Sequence, residues 1–300
     1  MRNKEYIIVD VFSSGKYTGN QLAVVMAGDS LGSDEMQNIA REMNFSETAF
    51  ITSIPGKSGD LPAMGYDVRI FTPMAEIPFA GHPVLGSAYV IATELEDGLV
   101  GEVSLNLAHA IINVTIGYNN EIPSLLTMCQ SAPVFGRIFK KTELAGVLGL
   151  PESAIMAHLP VQEVSTGLPF IIVPIDSLEE IERISLDSGA YYALINDIRP
   201  KALLAFSLGA LNPENHLHVR MFAPYFGIPE DPATGSGCGC LAAYLLEHQV
   251  LGEGPLQVRA EQGVEIGRPS LLRLRAEHEN GEITVRVGGA VIPTARGVLL

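Results

Sequence analysis

Short alternating or wholly apolar runs dominate the chain, and helical periodicity is confined to a few stretches. The runs EYIIVDVF, QLAVVM, TAFITS, YDVRIFT, INVTIG, PFIIVPI, KALLAFSL, LHVRMFA, LQVRAEQG, LLRLRAE and ITVRVGGAVIP read as β-strands, because a period of two sets alternate side chains on the buried face of a sheet. Breaks rich in Gly, Asn, Asp and Pro separate them, among them SSGKYTGN, IPGKSGD and GYNN. Four stretches carry the spacing of a surface helix. SDEMQNIAREMN opens on Ser33 as a cap and repeats apolar side chains at Met36, Ile39, Ala40 and Met43. KTELAGVLGL, SLEEIERI and SGAYYALIND are the others. Two more, HPVLGSAYVIATEL (82–95) and GCGCLAAYLLEHQV (237–250), are apolar almost all round, which predicts burial on every side.

Each of these two apolar helices follows one copy of a repeated phrase. RIFTPMAEIPFAG begins at Arg69 and RMFAPYFGIPEDP at Arg220, sharing Arg, Phe, Pro, Ile and Pro in register. Beyond the second proline they diverge, into Phe79, Ala80, Gly81 and His82 in one and Glu230, Asp231, Pro232 and Ala233 in the other. Strand, turn and central helix therefore occur twice. The pattern predicts an α+β fold of two pseudo-symmetric lobes facing one asymmetric cleft, with the N-termini of the central helices at it. Residues 1–120 form the N-terminal lobe, with the C-terminal end of the chain able to pack back onto it, and residues 130–300 the C-terminal lobe. The linker is placed at NNEIPSLLTMCQSAP (119–133).

Composition narrows the function. The 300 residues suffice for two cores, and a hydrophobic fraction of 47% implies that both are well filled. No apolar run approaches the roughly 18 residues that span a bilayer, and MRNKEYIIVDVF reads as a strand, not a signal peptide. Three cysteines (Cys129, Cys238 and Cys240) make no disulfide framework, so a reducing cytoplasm is the expectation. A net charge of −15 opposes the phosphate backbone, which excludes nucleic acid as a partner. These bounds fit an enzyme acting on a small molecule.

The two turns suggest its chemistry. Pro83 suits the first position of a helix, which puts His82 at the cap, where Ser, Thr, Asp or Asn is usual; a functional histidine and a structural one both remain open. Thr234 is an ordinary cap, and Gly235, Ser236, Gly237 and Gly239 after it let a ligand approach the backbone closely. Two helix N-termini aimed into one cleft favour an anion by about 0.3–1 kcal/mol each, so the expected ligand is a small carboxylate. GSGCG lacks the Lys-Ser/Thr of a phosphate loop, the βαβ setting of a dinucleotide site and the Ser of a nucleophile elbow. Asp231, extended before Pro232, offers either a second carboxylate at the cleft or a solvated turn residue, while Glu230 is expected to face solvent. Glu47 is the sharper candidate. In NFSETAFI a strand puts Phe45, Glu47, Ala49 and Ile51 on one face, and a carboxyl on an apolar face has its pKa raised toward the range useful in general acid–base catalysis. The alternative is a buried glutamate paired with Arg69 or Arg220. His216 and His218 alternate as metal ligands could, but with no third ligand at a recognisable spacing an exposed strand face is expected and no metal site is assigned. Cys238 and Cys240 read as small hydrophobes.

Taken together, DVFSSGKYTGNQLAVV, NFSETAFI, RIFTPMAEIPFAGHPVLGSAYV, RMFAPYFGIPEDPATGSGCGCLAAYL, EQGVEIGRPS and VRVGGAVIP resemble the phenazine-biosynthesis PhzF-like isomerase family, whose fold is that of diaminopimelate epimerase. The resemblance implies two similar lobes, each a barrel-like sheet wrapped around a central apolar helix. It implies a cofactor-free isomerase that moves a proton within a small carboxylate substrate, and a homodimer. The family's catalytic glutamate falls on Glu47, its substrate-contacting histidine and aspartate on His82 and Asp231, and its substrate-binding turns on Gly81 and Ser236. Two departures stand out: Gly237 where many relatives carry Ala or another small residue, and GGAVIP without the arginine often seen after the paired glycines.

Three readings follow. The leading one is a one-base isomerase with Glu47 as base and His82 and Asp231 orienting the substrate or relaying protons. A cofactor-free racemase needs opposed cysteines from the two lobes, whereas positions 79–82 contain none and Cys238 and Cys240 share one lobe. A non-catalytic small-molecule binder of the same fold is the third.

Overall fold

The computed structural model describes residues 4–26, 30–53, 65–108 and 110–300; the break at IPGKSGD (54–60) lies outside the described residues. The chain divides into two compact units, residues 1–129 with 288–300, and residues 130–287.

The first unit contains β1 (Lys4–Val11), β2 (Asn20–Met26), α1 (Ser33–Met43), β3 (Glu47–Ile51), β4 (Tyr66–Phe71), β5 (Glu76–Ile77), α2 (Gly81–Glu94), β6 (Glu102–Asn106), β7 (Ile111–Asn119) and β8 (Ile122–Cys129), closed by a C-terminal strand, Val291–Leu299. From that C-terminal strand the order runs through β1, β2, β3, β4, β6, β7 and β8. The successive pairings are antiparallel, antiparallel, parallel, antiparallel, parallel, antiparallel and antiparallel.

The second unit contains β9 (Val134–Phe139), α3 (Lys141–Leu148), β10 (Val161–Ser165), β11 (Pro169–Ile175), α4 (Leu178–Glu182), α5 (Ser188–Ile195), β12 (Ala202–Leu208), β13 (Leu217–Phe222), α6 (Gly235–Glu247), β14 (Leu256–Gln262), β15 (Ser270–Glu279) and β16 (Glu282–Gly289) up to Val287. From β9 through β10, β11, β12, β13 and β14 to β15 the pairings repeat the first six steps of the other unit. The repeated phrase thus occupies corresponding strands, β4 and β13. Its shared residues make the same local contact, since Arg69 lies over the Phe71 ring at 5.1 Å and Arg220 over Phe222 at 5.0 Å. Residues two apart share a strand face, so a guanidinium and a ring at that spacing stack.

Each unit wraps its strands round one apolar helix. The residues of α2 from Gly81 to Ala92 and of α6 from Gly235 to Leu246 are all buried. α2 touches β1, β2, β3, β6, β7, β8 and the C-terminal strand; α6 touches β10, β11, β14 and β15. Glycine sets how closely each helix lies on its sheet. A Cβ at Gly86 would stand 2.5 Å from Leu22 Cδ2, and one at Gly237 would stand 2.8 Å from Leu204 Cδ1 and 3.1 Å from Phe170 Cε1. The amphipathic helices lie elsewhere. In the first unit α1 sets Met36 and Ala40 in a cluster with Val25, Phe50 and Phe71; in the second, Leu148, Ile181 and Tyr191 of α3, α4 and α5 cluster with Ile171 and Leu203.

Several expectations need correction. Ser33 is not the cap of α1: Gly32 holds that position, and Ser33 Oγ instead accepts from Arg69 Nη2 at 3.0 Å. The expected linker at 119–133 is mostly β8, entered through Asn120 and Glu121 in a left-handed turn (φ 49° and 65°). Such a pair of positive φ angles matches the twist of a hairpin. Pro123 is accommodated there opposite the register shift at Gly117/Tyr118. ITVRVGGAVIP is two strands that break at Ala290. No helix among the described residues is long and apolar enough to cross a membrane.

Candidate active site

Glu47 opens β3. Asn44, left-handed at φ 53°, ends α1, and the chain then turns directly into the strand. Parallel pairing sets Glu47 beside Leu22 of β2, and both faces of β3 are covered, so the residue is only 8% exposed. His82 is the second residue of α2, not its cap: Ala80 holds the cap position with extended angles, and Pro83 sits third. Proline is tolerated there because the amides of the first turn have no intrahelical acceptor in any case. The close approach permitted by Gly86 brings this turn against β2.

The structure brings Glu47 and His82 together, with His82 Nε2 3.5 Å from Glu47 Oε2. Burial drives the His82 pKa down to about 3, a backbone hydrogen bond to Gln21 only partly opposing it. The ring is therefore neutral at ordinary pH, and its contact with Glu47 is not an ion pair. Nε2 has no hydrogen-bond partner among the described residues, so the Gln21 bond belongs to Nδ1, which donates to the carbonyl. Nε2 then presents a lone pair to a carboxyl oxygen. A proton carried by the carboxyl can be handed toward that lone pair across the 3.5 Å contact. Both arginines weighed as partners of Glu47 are bound elsewhere: Arg69 grips Glu76 through Nε at 2.7 Å and Nη2 at 2.6 Å, and Arg220 grips Glu230 at 2.9 and 2.8 Å.

In the second unit Asp231, Thr234 and Ser236 are buried at the start of α6. Thr234 holds the cap position, but its side chain does not cap; the hydroxyl donates to Asp231 Oδ2 in a short hydrogen bond. Asp231 is thus a buried group, not a solvated turn residue. Gly81 and Gly235 are the first residues of α2 and α6, and neither helix has a side-chain cap, whereas Ser177 and Asp187 cap α4 and α5. Each central helix so keeps first-turn N–H groups available to an anion.

Two further expectations are overturned beside this turn. Glu230 does not face solvent: its side chain is 11% exposed and held by Arg220, which is itself buried and requires a counter-charge. His218 is not on an exposed face. It is fully buried with Nδ1 2.8 Å from Glu261 Oε1 and Nε2 2.7 Å from Glu265 Oε1, while His216 lies outside β13 and is exposed. With both nitrogens facing carboxylates, His218 is an imidazolium. Among the described residues no group of three or more His, Cys, Asp or Glu side chains is placed to hold a metal. Cys238 and Cys240 are buried in α6, and burial pushes the Cys240 thiol up to about 11 and that of Cys238 higher still. Neither has the thiolate character of a nucleophile.

Sequence reasoning missed Gln21 and Gln262. Gln21 acts through its backbone, which leaves no mark on residue type. Gln262 lies in EQGVEIGRPS, where no local pattern of residue types points to a partner at the Asp231 turn.

Residues 9–297 match the family described as phenazine biosynthesis-like protein, PhzC-PhzF. The chain is 33% identical over 296 residues to the trans-2,3-dihydro-3-hydroxyanthranilate isomerase of Pseudomonas chlororaphis, covering 98% of this chain and 99% of that one. Among solved structures, the PhzF-family phenazine biosynthesis protein of Bacillus anthracis superposes with a TM-score of 0.88 at 25% identity, with 100% of both chains covered. A hydroxyproline epimerase of Agrobacterium vitis shares the fold at a TM-score of 0.62 and 9% identity, over 99% of this chain and 92% of its own.

Proposed function

The chain belongs to the phenazine biosynthesis-like protein family and is an isomerase, and we propose that it is a cofactor-independent, one-base isomerase of a small, unsaturated carboxylate. The observation that carries this reading is the buried Glu47–His82 pair, a carboxyl and a neutral imidazole 3.5 Å apart.

Glu47 takes a proton from a carbon next to an unsaturated system and returns it to another carbon on the same face. Removal from water tunes a carboxyl for this work. His82, fixed by Gln21, stays neutral and accepts a hydrogen bond at Nε2 from the protonated Glu47, which keeps the proton within the site between the two transfers. Asp231 is the second carboxyl of the reaction. The uncapped N–H groups of Gly81 and its neighbours suit a carboxylate, and so, within the second unit, do those of Gly235 and Ser236. The relative from Pseudomonas chlororaphis makes trans-2,3-dihydro-3-hydroxyanthranilate the first compound to try.

The test is incubation of the purified protein with that compound, and with a panel of small unsaturated carboxylates, in deuterated water. Deuterium entering one carbon, with the isomer formed alongside, is expected from wild type and not from Glu47→Gln. Binding without exchange or isomerisation across the panel would reduce the protein to a small-molecule binder.

A further inference from the structure

Gln262 and Gly263, at the end of β14, bear on the turn that carries Asp231. Gln262 is fully buried. Its Nε2 donates to the Asp231 carbonyl at 2.8 Å and to Thr234 Oγ1 at 3.0 Å. Its Oε1 accepts from the Thr234 N–H at 3.2 Å and lies 3.7 Å from Cys238 Sγ. Both amide hydrogens and the amide oxygen are committed. Gly263 has φ 77°, and a Cβ there would stand 2.5 Å from the Pro232 carbonyl oxygen and 2.6 Å from that of Arg268; only glycine lets the strand end press on the turn. Glu261 is anchored from behind by His218 Nδ1 at 2.8 Å, Asn215 Nδ2 at 2.9 Å and the Asn212 N–H at 3.2 Å.

We propose that Gln262 is a positioning residue for Asp231, acting through the hydroxyl of Thr234. The backbone fixes the amide first. A flipped Gln262 would set its oxygen against the Asp231 carbonyl and its NH2 against the Thr234 N–H, two like-with-like contacts in a buried place. The amide then fixes the hydroxyl. A threonine Oγ carries one proton and can rotate, but here a lone pair is taken by Gln262 Nε2–H and the amide oxygen is already filled. The proton is left to Asp231 Oδ2, the contact observed. The carboxylate is so locked by one face through a chain that starts at the backbone. Its importance for turnover rests on the part proposed above for Asp231; the relay itself does not.

The relay can be read without substrate, from the carboxyl ¹³C resonance of Asp231 in labelled protein, identified by its loss in Asp231→Asn. Gln262→Met keeps the volume and removes all four contacts; Thr234→Val removes the hydroxyl and Thr234→Ser restores it. Both Gln262→Met and Thr234→Val are expected to displace the Asp231 resonance, Thr234→Ser to leave it near wild type, and the double variant to match Thr234→Val alone. Should Gln262→Met fail to fold, Gln262→Glu serves, since its carboxylate takes the Thr234 proton away from Asp231 and must displace the same resonance. A folded Gln262 variant that melts earlier but leaves the Asp231 resonance in place would overturn the proposal. Displacements that simply add in the double variant would do so as well. Loss of turnover in Asp231→Asn is a separate measurement, so failure of the relay and failure of the functional reading are told apart.

Discussion

Glu47 Oε2 and His82 Nε2 stand 3.5 Å apart inside the first unit, and the ring is neutral. Replacing Glu47 by Gln keeps the shape and offers Nε2 an amide hydrogen, but removes the group that carries the proton. Turnover is expected to fall by about 10²–10⁴-fold, with thermal melting close to wild type. Turnover within a few-fold of wild type in a folded variant would remove Glu47 as the base and make Asp231 the next candidate.

His82 also ties stability to pH. Its pKa is about 3 in the folded protein against 6.5 for the free side chain, so below pH 6.5 the unfolded chain binds the extra proton. The contribution of His82 is present above that pH and is lost as pH falls toward 3, at up to about 1.4 kcal/mol per pH unit. Urea midpoints measured between pH 4 and 7 should show a shallower acid slope for His82→Asn than for wild type. An unchanged slope would mean that the ring is protonated in place.

The His218 cluster carries the opposite sign. Burial disfavours the imidazolium, but the hydrogen bonds it donates to Glu265 and Glu261 outweigh that and raise the pKa, while both glutamates are lowered against their own burial. The histidine's contribution is complete below 6.5 and is lost as pH rises through its raised value. Those of the glutamates are present above 4.5 and are lost as pH falls through their lowered values. His218→Gln leaves two carboxylates without their imidazolium, Glu261 buried and Glu265 with Arg220 at 3.9 Å. The expected loss at pH 7 is about 3–5 kcal/mol by urea denaturation, narrowing near pH 4 as the carboxylates take protons. A loss that stays constant over that range would assign the effect to packing.

Gly237 is open to a test of sign. Alanine is favoured over glycine in a helix by roughly 1 kcal/mol, but a Cβ here meets Leu204 Cδ1 at 2.8 Å. Gly237→Ala alone should therefore gain little or lose stability, whereas added to Leu204→Val it should stabilise by about 0.5–1 kcal/mol. A double-mutant cycle on melting measures this directly. Additive effects would mean that Leu204 is not what keeps the position glycine.

The strands most open to reading were those with a clean apolar face, and Glu47 was legible because a carboxyl interrupts one. β9 was hidden, since Val134 and Ile138 are exposed and Gly136 breaks the alternation; β8 was hidden behind Asn119, Asn120 and Pro123, which look like a linker when the hairpin that uses them is unknown. His82 was found, but at the wrong helical position, because Pro83 fits any place in a first turn. The His218–Glu261 contact joins residues 43 apart through the parallel pairing of β13 and β14, and no local pattern can announce a partner set by strand register.

The C-terminal strand has a consequence for how the protein is made. It pairs with β1, from Lys4 opposite Leu299 to Val11 opposite Val291, yet belongs to the unit that contains residues 1–129. On the ribosome, the unit begun first is the one finished last. Residues 130–287 emerge as an uninterrupted stretch and can close their own core during synthesis, while β1 must wait with an unpaired edge until Val291–Leu299 has been made. An open edge of that kind invites the wrong partner. A nascent chain arrested before Val291 should expose that edge to chaperones, and the Glu47–His82 pair, which sits in the waiting unit, should mature only after the second unit has closed.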